Sequence, residues 1–230
     1  LLKDKINELI SNGLDAVNIS IDTLDRDRYA YITRGGDLGE ALSGLETALS
    51  FPFLKVKINC VPTQDMPEKD YISLARLARD QELDIRFIEM MPIGLGKEFG
   101  IVSGDWVYSI LKKEFGKAVE CIGRFGNGPA VYVHFPGFQG KIGFIDAVSH
   151  QFCDKCNRVR LTSEGYLKPC LQYGTGTDLR KLLRSGADDA AICREMRRTI
   201  YDKPACHHFA DCISGAGQTF ETRDMSQIGG

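Results

Sequence analysis

The stretch LKVKINCVPTQDMPEKDYISLARLARDQELDIRFIEMM, Leu54–Met91, decides the fold. From Leu54 to Val61 the residue types alternate, with Val56, Ile58 and Cys60 opposite Lys55, Lys57 and Asn59, which is the period of a strand. Pro62 to Pro67 carry turn residues, and the pattern that follows predicts a helix around Tyr71–Gln81. A further strand runs from Asp84 to Met91, closed by Pro92 and Gly94. Strand, helix, strand within one short stretch is the repeat of a parallel α/β sheet.

Working outward, Ala16–Ile21 reads as an earlier strand. It is followed by a polar segment containing Arg26, Tyr29, Tyr31 and Arg34, then by a helix over Leu38–Ser50 with Leu42, Leu45 and Leu49 on one face. Ahead of it, Leu2, Ile6, Leu9 and Ile10 form a helical pattern that stops at Gly13. The fold class expected is therefore α/β, an incomplete TIM-type (β/α) barrel half. A closed eight-fold barrel typically takes about 250 residues, so the first strands are expected upstream. Residues 1–94 would be the C-terminal portion of that barrel, and its exposed edge predicts association or poor solubility. Residues 95–230 read as an α+β C-terminal module. It has a helix over 105–115, a strand over 118–122, and a hairpin of 130–135 and 141–146 around PGFQG that supports the metal stretch beyond it. Helices follow over 178–184 and 189–201.

Composition narrows the function classes. The 230 residues are 43% hydrophobic and 26% charged with a net charge of −2, which leaves no basic footprint for a nucleic-acid partner. The arginine-rich helices read as solvated faces. Gly126 and Gly128 precede a strand rather than open a helix, so they set a turn and not a nucleotide fingerprint. No membrane-length apolar run or signal peptide is present, and the clustered cysteines point to a reducing, cytoplasmic compartment with no membrane partner.

The chemistry concentrates in FCDKCNRVRLTSEGYLKPC, Phe152–Cys170, where cysteines fall as C-x2-C-x13-C. Cys153 and Cys156 can grip one metal centre from a single turn, and Cys170 returns after the Gly165 turn and Tyr166–Lys168. If Asn157–Thr162 is a strand, Arg158 and Arg160 project to one side of it, beside the metal. Three thiolates alone suit an iron–sulfur cluster with one open iron, whereas a fourth donor from Cys206, His207, His208 or Cys212 would close a zinc site; spacing leaves both open. Cys206, His207, His208 and Cys212 could also form a separate metal cluster, while Cys60 and Cys193 read as packing residues. Polar residues repeat on single faces of the strands: Asn18, Ser20 and Asp22; Lys55, Lys57 and Asn59; and Arg86 opposite Glu89 and Met91. Together these are candidate ligand contacts. The glycines of the terminal SQIGG read as a loose tail.

The cysteine stretch SHQFCDKCNRVRLTSEGYLKPCL, the strand motifs VNISIDTLD, KVKINCV and IRFIEMMP, the ITRGG segment and the terminal MSQIGG together resemble the GTP 3',8-cyclase family, the radical S-adenosylmethionine enzymes of molybdenum cofactor biosynthesis. The resemblance implies a lyase that converts GTP to (8S)-3',8-cyclo-7,8-dihydroguanosine 5'-triphosphate. It implies Cys153, Cys156 and Cys170 as ligands of a substrate-binding 4Fe-4S cluster, with Lys57, Arg86, Arg158, Val159 and Arg160 as GTP contacts. Arg158, Arg160, Gly229 and Gly230 would be catalytic, the last two on a tail reaching into the active site, and Ser20 and Met91 would contact S-adenosylmethionine. The family's radical-generating C-x3-C-x2-C motif is not among these residues, so a second 4Fe-4S cluster is expected on an N-terminal segment, and the fragment alone is expected to be inactive. Its cofactor-loop sequence PTQDMP departs from the family pattern. Partners implied are GTP, S-adenosylmethionine and an electron donor, with a homodimer as an open assembly. Two rival readings stand beside this one: an auxiliary-cluster radical enzyme that modifies a peptide, and a non-enzymatic zinc-binding interaction module.

Overall fold

The computed structural model describes residues 1–123, 125, 126, 128–209 and 220–228. They form two compact units, one of 1–89 with 101–146 and the other of 90–100 with 147–230. Gly229, Gly230 and Cys212 lie outside the described residues.

The first unit is mixed α/β. Its elements in chain order are α1 Leu2–Ser11, β1 Ala16–Ser20, α2 Arg26–Ile32, α3 Leu38–Leu49, β2 Lys55–Cys60, α4 Glu68–Asp80, β3 Asp84–Ile88, α5 Gly104–Phe115, β4 Val119–Glu120, β5 Val131–His134 and β6 Ile142–Ile145. The sheet order is β1-β2-β3-β6-β5-β4. β1, β2, β3 and β6 are parallel, and β5 and β4 add antiparallel at the far side. The 131–145 hairpin, expected to support the cysteine stretch, completes this sheet. Ile142 and Phe144 supply the reason, because they continue the apolar face of Ile85 and Phe87.

That face carries the core. Val56, Ile58, Cys60, Ile85, Phe87 and Ile142 are buried with Leu45, Tyr71, Leu74, Ala78 and Leu111 from the helices, each large side chain contributing roughly 1.5–3 kcal/mol. Tyr71 meets Phe87 edge-on with ring centroids 6.0 Å apart, and Phe87 stacks on Phe144 at the same separation. Helix starts are set by side-chain caps: Asp25 accepts from Arg28 N, Asp37 from Gly39 N and Ser103 from Trp106 N. The first of these makes α2 a helix, where the sequence shows only a polar segment.

The second unit carries β7 Arg160–Leu161, β8 Tyr166–Lys168, β9 Thr177–Asp178, α6 Leu179–Arg184 and α7 Asp189–Tyr201. The three strands form a small antiparallel sheet. The strand expected over 157–162 is only the two residues of β7, so Arg158 precedes it. Gly165 turns β7 into β8 at φ +80°, with its N–H on Thr162 O at 2.9 Å. A small apolar cluster gathers Ile93, Phe209 and Ile228 with Met91, Val148, Leu171 and Met225. Cys193 is exposed on α7 rather than packed. Among the described residues, no helix is long and apolar enough to cross a membrane.

Candidate functional site

In the first unit, the sheet face opposite the core collects the polar residues. Parallel pairing sets Ser20 beside Asn59, Asn59 beside Arg86 and Arg86 beside Gly143. Arg86 lies across this row: Nε donates to Asn59 Oδ1 and Nη2 to Asn18 Oδ1, both at 2.8 Å. Two amide oxygens aim the guanidinium and take only part of its donor set. Gly143 makes room for it, since a Cβ there would stand 2.8 Å from Tyr132 Cε1 and 3.2 Å from Arg86 Cγ. Lys57 Nζ donates to Phe125 O at 2.6 Å and Tyr132 Oη at 3.1 Å, lies 5.1 Å over the Tyr132 ring, and pairs with Asp84 Oδ2 at 3.7 Å. The ammonium is therefore held in one place while mostly shielded, its side chain 13% exposed. Ser20 stands exposed at the carboxyl end of β1. Just beyond it, Asp22 Oδ1 accepts from Val61 N at 2.8 Å. Burial pushes the Asp22 carboxyl above its ordinary range, and the Val61 N–H opposes this.

In the second unit, Cys153 opens a 3-10 turn that Cys156 ends, with Cys156 N bonded to Cys153 O at 3.2 Å. Cys170 follows β8, whose residues Lys168 and Leu167 pair with Arg160 and Leu161. All three thiols are half-buried. Burial pushes the Cys153 thiol up, and the His207 N–H, 3.4 Å from Sγ, opposes this. A lysine outside the stretch binds it in three places: Lys203 Nζ reaches Cys156 Sγ at 3.4 Å, Arg158 O at 2.5 Å and Pro169 O at 3.0 Å. Burial first, and the neighbouring Arg158 second, hold the Arg160 guanidinium below its ordinary range; Cys156 and Cys170 pull the other way. Val159 between them is 43% exposed. Met91, in this unit, packs partly buried beside Ile93.

Behind the hairpin, the fully buried Lys168 forms an ion pair with Glu221 and donates to Tyr173 O at 2.7 Å. Glu221 also receives both prongs of the Arg223 guanidinium at 3.0 Å. Two cations around one buried carboxylate tie the 220–228 segment to β8, two residues before Cys170.

Among the described residues, no three His, Cys, Asp or Glu side chains close on a point that a single metal ion would occupy. Cys206 Sγ lies 3.5 Å from His208 Nε2, and His207 offers the cysteine turn its backbone N–H. The donor set of Cys153, Cys156 and Cys170 fits an iron–sulfur cluster. Such clusters bind through thiolates, are larger than an ion so that their ligands stand wider apart, and are stabilised by N–H groups on the sulfurs. Sequence reasoning singled out the cysteines and arginines as candidates, which are local. It did not single out Lys203, Tyr132, Asp84 or Gly143, which pairing and folding bring in from distant segments without a local signal.

Comparison with known proteins follows the same residues. The family model Molybdenum Cofactor Synthesis C matches residues 83–209. A GTP 3',8-cyclase of Clostridium perfringens (strain 13 / Type A) is 45% identical over 211 residues, covering 91% of this chain. Those of Moorella thermoacetica and Pelotomaculum thermopropionicum are 38% identical over 95% of the chain and 37% identical over 100% of it. The chain spans 64%, 66% and 70% of the lengths of these three relatives, respectively.

Proposed function

Because the chain belongs to the GTP 3',8-cyclase family, we propose that it is the substrate-binding part of a radical S-adenosylmethionine lyase that converts GTP to (8S)-3',8-cyclo-7,8-dihydroguanosine 5'-triphosphate in molybdenum cofactor biosynthesis. In this reading the parallel strands of the first unit are part of a TIM-type barrel, and the module over 95–230 holds the cluster and GTP. Cys153, Cys156 and Cys170 would hold a 4Fe-4S cluster. When bound, that cluster supplies an iron for the guanine base, and S-adenosylmethionine supplies the radical with a second cluster that a C-x3-C-x2-C segment outside these residues would carry.

The chain's own residues bind, orient and shield. Arg158 and Arg160 carry the reading: two guanidinium forks two residues apart, the first just ahead of β7 and the second on it, within the cysteine stretch, are the donor type that matches a triphosphate. Lys57 and Arg86 are proposed as further GTP contacts, each already fixed by neighbours so that little side-chain freedom is lost on binding. Ser20 and Met91 are proposed to contact S-adenosylmethionine, and Gly229 and Gly230 to contribute from the tail. An electron donor is the partner this chemistry requires.

The test is GTP titration of the anaerobically reconstituted chain. Arg158→Ala and Arg160→Ala are each expected to weaken GTP binding by roughly 10- to 100-fold, the loss of a charge-assisted contact, with the iron content unchanged. Unchanged affinity would remove both residues from the site.

A further inference from the structure

Lys203 follows α7 directly and is separated from Cys156 by 47 positions in the sequence, yet its ammonium is engaged entirely with the cysteine stretch. An ammonium has three N–H donors. Here they meet Cys156 Sγ at 3.4 Å, Arg158 O at 2.5 Å and Pro169 O at 3.0 Å. One contact is on a ligand-type sulfur, one on the backbone beneath a substrate-type arginine, and one on the residue preceding Cys170. Four residues on, His207 N lies 3.4 Å from Cys153 Sγ. The segment after α7 thus clasps both arms of the cysteine stretch and places N–H donors on two of its three sulfurs.

Resting on the cluster reading above, we propose that Lys203 is a positioning residue of the cluster site: it locks the Cys153–Cys156 turn to the Cys170 arm and, through its N–H···S contact, draws electron density from Cys156 and so sets the reduction potential of the bound cluster. The physical basis is general, since hydrogen bonds to cluster sulfurs stabilise the more negative, reduced state. His207 belongs to the same clasp through its backbone N–H on Cys153 Sγ.

The experiment is anaerobic reconstitution of the chain with iron and sulfide, iron counting, and a redox titration followed by electron paramagnetic resonance. Lys203→Met keeps the aliphatic stem and removes the donors. Its cluster is expected at a more negative midpoint potential than wild type, with altered g values, and Lys203→Arg should recover at least half of the shift. A residue that merely supported the fold would move the unfolding midpoint and leave the potential in place. Wild-type chain that assembles no iron–sulfur cluster overturns the cluster reading and this proposal with it. A normal wild-type cluster with an unchanged potential in Lys203→Met overturns the role of Lys203 alone. Should Lys203→Met not fold by circular dichroism, wild type labelled with 15Nζ-lysine decides. A lysine nitrogen coupled to the reduced cluster and lost in Lys203→Arg supports the proposal, and no such coupling overturns it.

Discussion

At the residue scale, Asp22 shows how a local environment becomes a measurable property. Its carboxyl is raised from the ordinary 3.8 by burial at the end of β1, against the opposing Val61 N–H. A carboxyl with a raised folded-state pKa holds its proton more tightly in the fold than in the unfolded chain. Its contribution to stability is therefore complete below the unfolded value and is lost as pH rises through the folded one. Asp22→Asn keeps an Oδ1 acceptor for Val61 and removes the titration. The variant should melt higher than wild type at neutral pH, and the gain should vanish as pH falls below about 4. Paired melting curves across that range check it, and a pH-independent difference would show that burial of the charge is not the cause. The residues that were legible in the sequence were those whose chemistry lies in one segment: Cys153, Cys156 and Cys170 by spacing, Arg158 and Arg160 by their place between them. Lys203 and the Lys168–Glu221–Arg223 group were not, because their partners lie 47 and 53 positions away and only the fold selects them.

At the element scale, β2, α4 and β3 were readable because each has one apolar face with a clean period, and burial against a single core enforces that period. α2 was not, since its seven residues bury none fully and rest on the Asp25 cap; that aspartate ahead of a polar run was the available signal. Nor was the parallel docking of β6 on β3, a long-range choice that only the completed sheet makes. The β7–β8 hairpin is the element on which the cysteine site depends most, as it returns the chain to Cys170. Gly165 holds its turn at φ +80°, and an added Cβ would stand 2.9 Å from Arg180 Cβ. Gly165→Ala should destabilise the chain by about 1–2 kcal/mol, the cost of a side chain in a left-handed turn. It should also lower iron uptake on reconstitution, because Cys170 is no longer delivered in register. Chemical denaturation with parallel iron assays measures both, and a loss of stability with full iron uptake would uncouple the hairpin from the site.

At the scale of the whole molecule, association is decided by where backbone hydrogen bonds end. With a net charge of −2 the chain carries little long-range repulsion to keep copies apart. Its long sheet finishes on β1 at one side and on the two-residue β4 at the other. The bonds Lys55 N to Asp15 O and Ile21 N to Asn59 O show that the odd-numbered residues of β1 face β2. The amides of Ala16, Asn18 and Ser20 therefore point away from it, toward no strand among the described residues. β1 reads AVNIS, with neither a charge nor a proline to block a second strand. A polypeptide of these 230 residues by itself should therefore pair along this edge as concentration rises. Ala16→Pro is the discriminating change. It lies at the first position of the strand, where the outward N–H bonds nothing in the sheet and proline is tolerated. Removing that donor should weaken association by about tenfold, or ~1.4 kcal/mol, while circular dichroism stays that of the wild type. Sedimentation velocity over a concentration series reads the outcome. An Ala16→Pro chain that associates as wild type does would move the contact away from β1, to a surface that backbone pairing does not explain.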